Sequence, residues 1–72
     1  MNWIPMSQRP PDSPGEVLVT FQLGENVFLI DIMIYDKQKR RFKWNEAYAR
    51  DMTDNVLAWM PLPQPYKNET RN

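Results

Sequence analysis

The sequence holds no histidine, no cysteine and only two glycines. Each absence removes a class of chemistry. Without His or Cys there is no Ser-His-Asp triad, no Cys-His nucleophile, no zinc site of the usual kind and no disulfide framework. Net charge is missing too, since nine Lys and Arg balance nine Asp and Glu. That balance argues against a surface tuned as a whole for nucleic acid or anionic membrane, while permitting a local patch. No long hydrophobic run exists. The stretch Val27 to Tyr35 is interrupted by Asp31 and falls far short of the roughly 20 apolar residues that span a bilayer. Met1 to Met6 lacks the basic start and apolar run of a signal peptide. Small secreted domains usually need disulfides, so the expected compartment is the cytoplasm, with no membrane role.

What is present is 72 residues and 8.6 kDa of chain. A protein this small buries only about 60 per cent of its unfolded surface, which limits it to one small core. The prolines fall towards the two ends, at Pro5, Pro10, Pro11 and Pro14 and at Pro61, Pro63 and Pro65. Between them, Glu16 to Leu23 alternates at period two and is rich in β-branched and aromatic residues, which predicts a strand. Gly24-Glu25-Asn26 then connects it to a second apolar run, Val27 to Tyr35, as a hairpin. In that second strand Phe28, Ile30, Ile32 and Ile34 would form one continuous apolar face opposite Val27, Leu29, Asp31, Met33 and Tyr35. A third strand is expected at Arg40 to Trp44, with Phe42 and Trp44 on one face. Asn45 to Asp51 reads as a short helix or helical turn, with Asn45 as N-cap. Thr53 to Asn55 reads as a turn, and Val56 to Met60 as a fourth strand that Pro61 must end or confine to an edge. The expected fold is thus α+β and mostly β. It is a small antiparallel sheet of three to four strands with one helical turn and Pro-rich termini packed on it, spanning residues 1–65, with a flexible polar tail at 66–72.

Several of these segments carry a resemblance. Trp3-Ile4-Pro5, Pro10-Pro11, the start Gly15-Glu16-Val17-Leu18-Val19 and the close Val56-Leu57-Ala58-Trp59-Met60-Pro61-Leu62-Pro63 are similar to the short phage and prophage proteins called domain of unknown function 551. The likeness runs from Trp3 to Pro65, and the ungapped Trp-Met-Pro-Leu-Pro at Trp59 to Pro63 is its most specific part. The family's usual His before that Trp is Ala58 here, so no role that such a His plays carries over. The resemblance implies a bacteriophage or prophage source and a small β-rich fold, and it brings no catalytic activity with it.

Candidate working residues were weighed against structural roles. Trp3 and Trp59 are expected to lie together as a structural aromatic pair where the two chain ends pack, since small domains need buried aromatics to fold. Trp59, Met60 and Pro61 as an exposed groove is the competing reading. From Lys37 to Lys43 five of seven residues are cationic, a pattern that can hold phosphates when aromatics interleave. Period two would place Lys39, Arg41 and Lys43 on one face and Phe42 and Trp44 on the other, which favours a solvated outer face. Asp51 and Asp54 lack the further oxygen ligands of a calcium loop. No catalytic residue, metal or cofactor is expected. On the second strand the face of Leu29, Asp31, Met33 and Tyr35 carries one polar break, and a domain this small has too little material to cover both sides of such a strand. That face, together with Lys39, Arg41 and Lys43, is the expected partner-binding surface.

Two functions follow from these readings. The first is a non-enzymatic phage accessory protein that binds and inhibits a host macromolecule, such as a defence or nucleic-acid-processing protein, or pairs with itself as a homodimer. The second is sequestration of a small anionic nucleotide between subunits, gripped by Arg40, Arg41, Lys43 and an aromatic; nucleic acid itself is the minor alternative.

Overall fold

The computed structural model describes residues 2–44 and 50–63. Six strands form one antiparallel sheet: β1 (Ile4–Pro5), β2 (Gly15–Gly24), β3 (Val27–Asp36), β4 (Arg41–Trp44), β5 (Arg50–Asp51) and β6 (Val56–Pro61). Their order across the sheet is β1-β6-β2-β3-β4-β5. The centre is the β2–β3 hairpin, two ten-residue strands whose β-branched content suits a pleated surface. Glu25 and Asn26 make its turn. Asn26 takes the left-handed conformation at φ 65°, which Asn tolerates better than most residues. Leu23 is the extra residue of a bulge beside this turn, because Gln22 pairs with Phe28 and Gly24 with Val27.

The sheet has six strands where three to four were expected. Both additions are two residues long and carry no periodicity of their own. Ile4 and Pro5 become a strand only because Trp59 and Ala58 lie opposite them, and Arg50 and Asp51 because Trp44 and Lys43 do. The expected helix over Asn45 to Asp51 therefore ends as strand at its last two residues. The rest of that segment, like the tail after Pro63, lies outside the described residues. Among the described residues the only helical element is a 3-10 turn at Thr53–Asn55, where a turn was expected. Pro61 pairs with Val17 on its β2 side, beyond the reach of β1, which stops opposite Ala58 and Trp59. A proline that cannot donate to a ladder is placed where its other side has no strand.

Two segments lie across one side of the sheet, which we term the inner face. The N-terminal stretch from Met6 to Pro14 covers it at the β6 end, anchored by Met6 N–H donating to the Leu57 carbonyl at 2.9 Å. Leu57 is the bulged residue of β6, since Thr20 pairs with Ala58 and Phe21 with Val56. At the other end the chain crosses from β5 to β6 through Met52 and the 3-10 turn. There the Phe42 N–H donates to Thr53 Oγ1 at 2.8 Å, and Asn55 Nδ2 donates to the Gln22 carbonyl at 2.6 Å. Between these covers lies the core: Val17, Val19, Phe21, Met33, Tyr35, Phe42, Met52, Val56 and Trp59, with Ile4, Met6 and Trp44 packed against it.

Candidate functional site

The core settles which side of β3 is closed, and it is the side expected to be open. Met33 and Tyr35 are buried, their neighbours being Val17 across from Met33 and Phe42 across from Tyr35. Tyr35 and Phe42 rings sit 4.8 Å apart. These two residues are therefore core and not partner-binding. The physical reason lies in β4 and the crossover. Phe42, Trp44 and Met52 bring their bulk to the side of Met33, so that side is closed.

Asp31, the polar break on that side, has a structural use. Its Oδ2 accepts from the Trp44 indole Nε1 at 3.0 Å, and its Oδ1 accepts from the Ile32 N–H at 2.7 Å. The indole it holds packs edge-on against Phe21, centroids 4.9 Å apart. Leu29 is exposed, because it lies near the hairpin turn beyond the reach of the covering segments. Of the four residues expected to share a partner surface on β3, only Leu29 is free to touch one.

Trp59 proves to be core, at 4 per cent exposure against 38 per cent for Trp3. The chain ends do pair, but the residue opposite Trp59 is Ile4 rather than Trp3. The companion of Trp59 is Arg9. Its carbonyl accepts from the indole Nε1 at 2.9 Å, and its guanidinium lies over the ring, 5.4 Å from the centroid. Arg9 is itself held by Asp12 at 2.9 Å. Trp59 thus bolts the Pro-rich segment to the sheet, and Pro11 is buried with it. A groove of about 230 Å³ lies beside them, lined by Pro11, Pro14, Glu16, Trp59, Pro61 and Leu62 among others. With the indole buried and Arg9 over its face, the groove offers no open ring on which a base can stack.

The basic run divides by position. Lys37 to Arg40 form the turn between β3 and β4, so Lys39 is a turn residue and does not share a strand face with Arg41 and Lys43. Asp36 organises that turn, its carbonyl accepting from Arg40 N–H at 2.7 Å and its Oδ1 from Lys39 N–H at 3.1 Å. Arg41 is engaged by Asp51 through two hydrogen bonds, 2.8 and 3.2 Å. That contact holds the Asp51 carboxyl well below the usual range, helped by the Thr53 backbone N–H and hydroxyl, and raises the Arg41 guanidinium in turn. Phe42 and Trp44 point to the inner face, as the alternation predicts. The cations and the rings therefore do not converge on one site.

The opposite side of the sheet, the open face, is what remains. Along β3 it presents Phe28, Ile30, Ile32 and Ile34, with Phe28 55 per cent, Ile30 63 per cent and Ile32 41 per cent exposed. Register places Leu18 beside Ile32, Thr20 beside Ile30 and Gln22 beside Phe28 on β2. Beyond Leu18 lies Met60 on β6, which is buried. At one end the row Glu16, Ile34, Lys43 runs across β2, β3 and β4. Large side chains of this kind, left side by side in water, mark contact surfaces more often than scattered exposed residues do. The signal available in the sequence was the unbroken run of four apolar residues at period two. Composition alone makes that run resemble a covered face, because it is the more apolar of the two.

By geometry this is a small antiparallel β-sheet protein, closed on one face by its own chain, with Phe28, Ile30 and Ile32 exposed on the other among the described residues. The chain matches the model of the family described as "Protein of unknown function (DUF551)" over residues 2–67, and it belongs to that family. No curated protein and no solved structure matches it. No helix among the described residues is long and apolar enough to cross a membrane.

Proposed function

We propose that this protein is a non-enzymatic binding module that acts by covering a surface of another macromolecule, with the open face of β2 and β3 as its contact surface. One observation carries the reading: Phe28, Ile30 and Ile32 stand exposed in a row on a strand whose other side enters the core at Met33 and Tyr35. Fully burying an exposed Ile or Phe contributes roughly 1.5–3 kcal/mol, and with 41 to 63 per cent exposure each of these three would gain part of that on contact with a partner. Charged residues at the margin, Glu16 and Lys43, would supply the polar rim that such interfaces have. The phage or prophage source that the family resemblance implies is the support for looking for the target in the cytoplasm of a bacterial host. A defence or nucleic-acid-processing protein fits an accessory protein that blocks rather than catalyses, a likeness of kind and not of residues.

The test is capture from host lysate with the wild type and with Ile30→Asp as paired baits, both first shown to melt cooperatively. A protein retained by the wild type and lost from Ile30→Asp supports the open face as the contact surface. Equal capture by both baits sinks it.

A further inference from the structure

The open face is self-complementary in charge as well as apolar, and we infer that it takes a second copy of this chain, the two sheets stacking face to face about a two-fold axis that runs along β3. The inference rests on the reading of that face as a contact surface and names its first occupant. The row Glu16, Ile34, Lys43 decides the geometry. Glu16 and Lys43 flank Ile34 from β2 and β4, on a face where neighbouring strands lie about 4.8 Å apart. Among the described residues neither makes an ion pair: the pairs formed are Arg9 with Asp12 and Arg41 with Asp51. Asp51, the register neighbour of Lys43, spends both oxygens on Arg41 and one of them also on the Thr53 N–H.

Rotation by a half-turn about β3 exchanges the two flanks. Glu16 of one copy then lies over Lys43 of the second copy, and Lys43 over its Glu16, so one row yields two opposite-charge contacts. On the axis itself each β3 side chain meets its own counterpart, Ile30 on Ile30 and Ile32 on Ile32, at the roughly 10 Å sheet separation that such side chains fill. A half-turn about an axis across the strands instead brings Glu16 over Gln22 and Ile34 over Phe28, so that among the described residues Glu16 finds no partner of opposite sign. The interface is isologous, as expected of a closed dimer. A target that uses the same face competes with the second copy, so dimer and complex exclude one another.

The experiment is sedimentation equilibrium of the full chain over a wide concentration range, on the wild type and four variants or mixtures. The wild type is expected to dimerise and Ile30→Asp to be monomeric. Glu16→Lys alone, and Lys43→Glu alone, should each weaken dimerisation on the order of tenfold, since each turns two attractive contacts into repulsive ones. Mixed in equal amounts, these two variants should form a heterodimer of about wild-type strength, because the charges across the axis are again opposite. Melting curves check that each variant folds. A monomeric wild type overturns the proposal, as does a dimer indifferent to Ile30→Asp or a mixture no stronger than its components. A wild type that is monomeric yet still loses a captured host protein on Ile30→Asp overturns the second copy and leaves the contact surface standing.

Discussion

The inner and open faces of the β2–β3 ladder are made of much the same material and end in opposite states. On one side Val17, Val19, Phe21, Met33 and Tyr35 are buried; on the other Phe28, Ile30 and Ile32 meet water. What separates them, among the described residues, is where the connecting segments fold. The Met6 to Pro14 segment and the Met52 to Asn55 crossover both fold to the inner side, the first fixed by Trp59 and the second by Thr53 and Asn55. Nothing described crosses the other side of β3. A chain this small buries only about 60 per cent of its unfolded surface, and the described segments spend their bulk on one face of the hairpin.

The largest test of that difference sets Trp59 against Ile30. Trp59→Ala removes both the packed indole and the hydrogen bond that holds the N-terminal cover, and large-to-small core changes of this kind cost about 3–5 kcal/mol. At roughly 0.05–0.15 kcal/mol per residue the whole chain has only about 4–11 kcal/mol to lose. Chemical denaturation should show Trp59→Ala without a cooperative transition or close to losing it. Ile30→Ala, measured at dilutions where the chain is monomeric, should stay within about 0.5 kcal/mol of wild type, as surface changes do. Equal losses would mean that the two faces are not different in kind.

A subtler test addresses how the inner face is closed at its β4 edge. Trp44→Phe keeps the ring against Phe21 but deletes the indole donor to Asp31. The loss should be about 1.5 kcal/mol, the low end of the range for a hydrogen bond to a charged group, because Asp31 retains a second partner. Asp31→Asn, which keeps an acceptor oxygen, should lose less. A Trp44→Phe protein as stable as the wild type would show that Asp31 is not needed to hold the edge of the core.

Much of this architecture is legible from residues alone, and the failures are instructive. The long hairpin, the aromatic face of Phe42 and Trp44 and the position of Pro61 at the end of its strand follow from local pattern. The choice of face on β3 does not, because period two reports that two sides differ in composition without saying which side the rest of the chain will cover. Four apolar residues in a row at Phe28 to Ile34 looked more like core than a set broken by Asp31. A carboxylate can sit beside a core when an indole N–H and a backbone N–H meet it, and sequence shows neither. The two short strands at Ile4–Pro5 and Arg50–Asp51 were likewise invisible, being defined by partners far along the chain. Met33 and Tyr35 were misplaced for the same non-local reason.

The turn that joins β3 to β4 belongs to neither face and should respond accordingly. Arg40 holds the left-handed conformation at φ 59°, where a side chain carries a strain of about 1–2 kcal/mol that Gly escapes. The greater freedom of Gly in the unfolded chain offsets about 0.5–1 kcal/mol of that relief. Arg40→Gly should therefore raise stability by about 0.5–1 kcal/mol without altering self-association. A destabilised Arg40→Gly would mean that the Arg40 side chain contributes more than its backbone strain takes away.

The smallest effect is expected from the Arg41–Asp51 pair at the margin of the open face, and its sign is fixed by the direction of the shift. The Arg41 hydrogen bonds, followed by those from Thr53, lower the Asp51 carboxyl in the folded protein. A depressed folded value means that the contribution is fully present above the unfolded value, about 3.9 for Asp, and is lost as pH falls below it. Both partners are well exposed, with side chains 43 and 41 per cent accessible, so solvent screening keeps the contribution small. Thermal melts of the wild type and Asp51→Asn between neutral pH and about pH 2 should converge as acid is added, the wild type losing slightly more than the variant. Since the wild type's acid loss would also include every other carboxylate, only the difference between the two curves reports Asp51. A difference that is flat with pH would place the worth of this pair in the neutral hydrogen bonds that Asn can still accept, and would leave Lys43 beside it no more constrained by Asp51 than the open face requires.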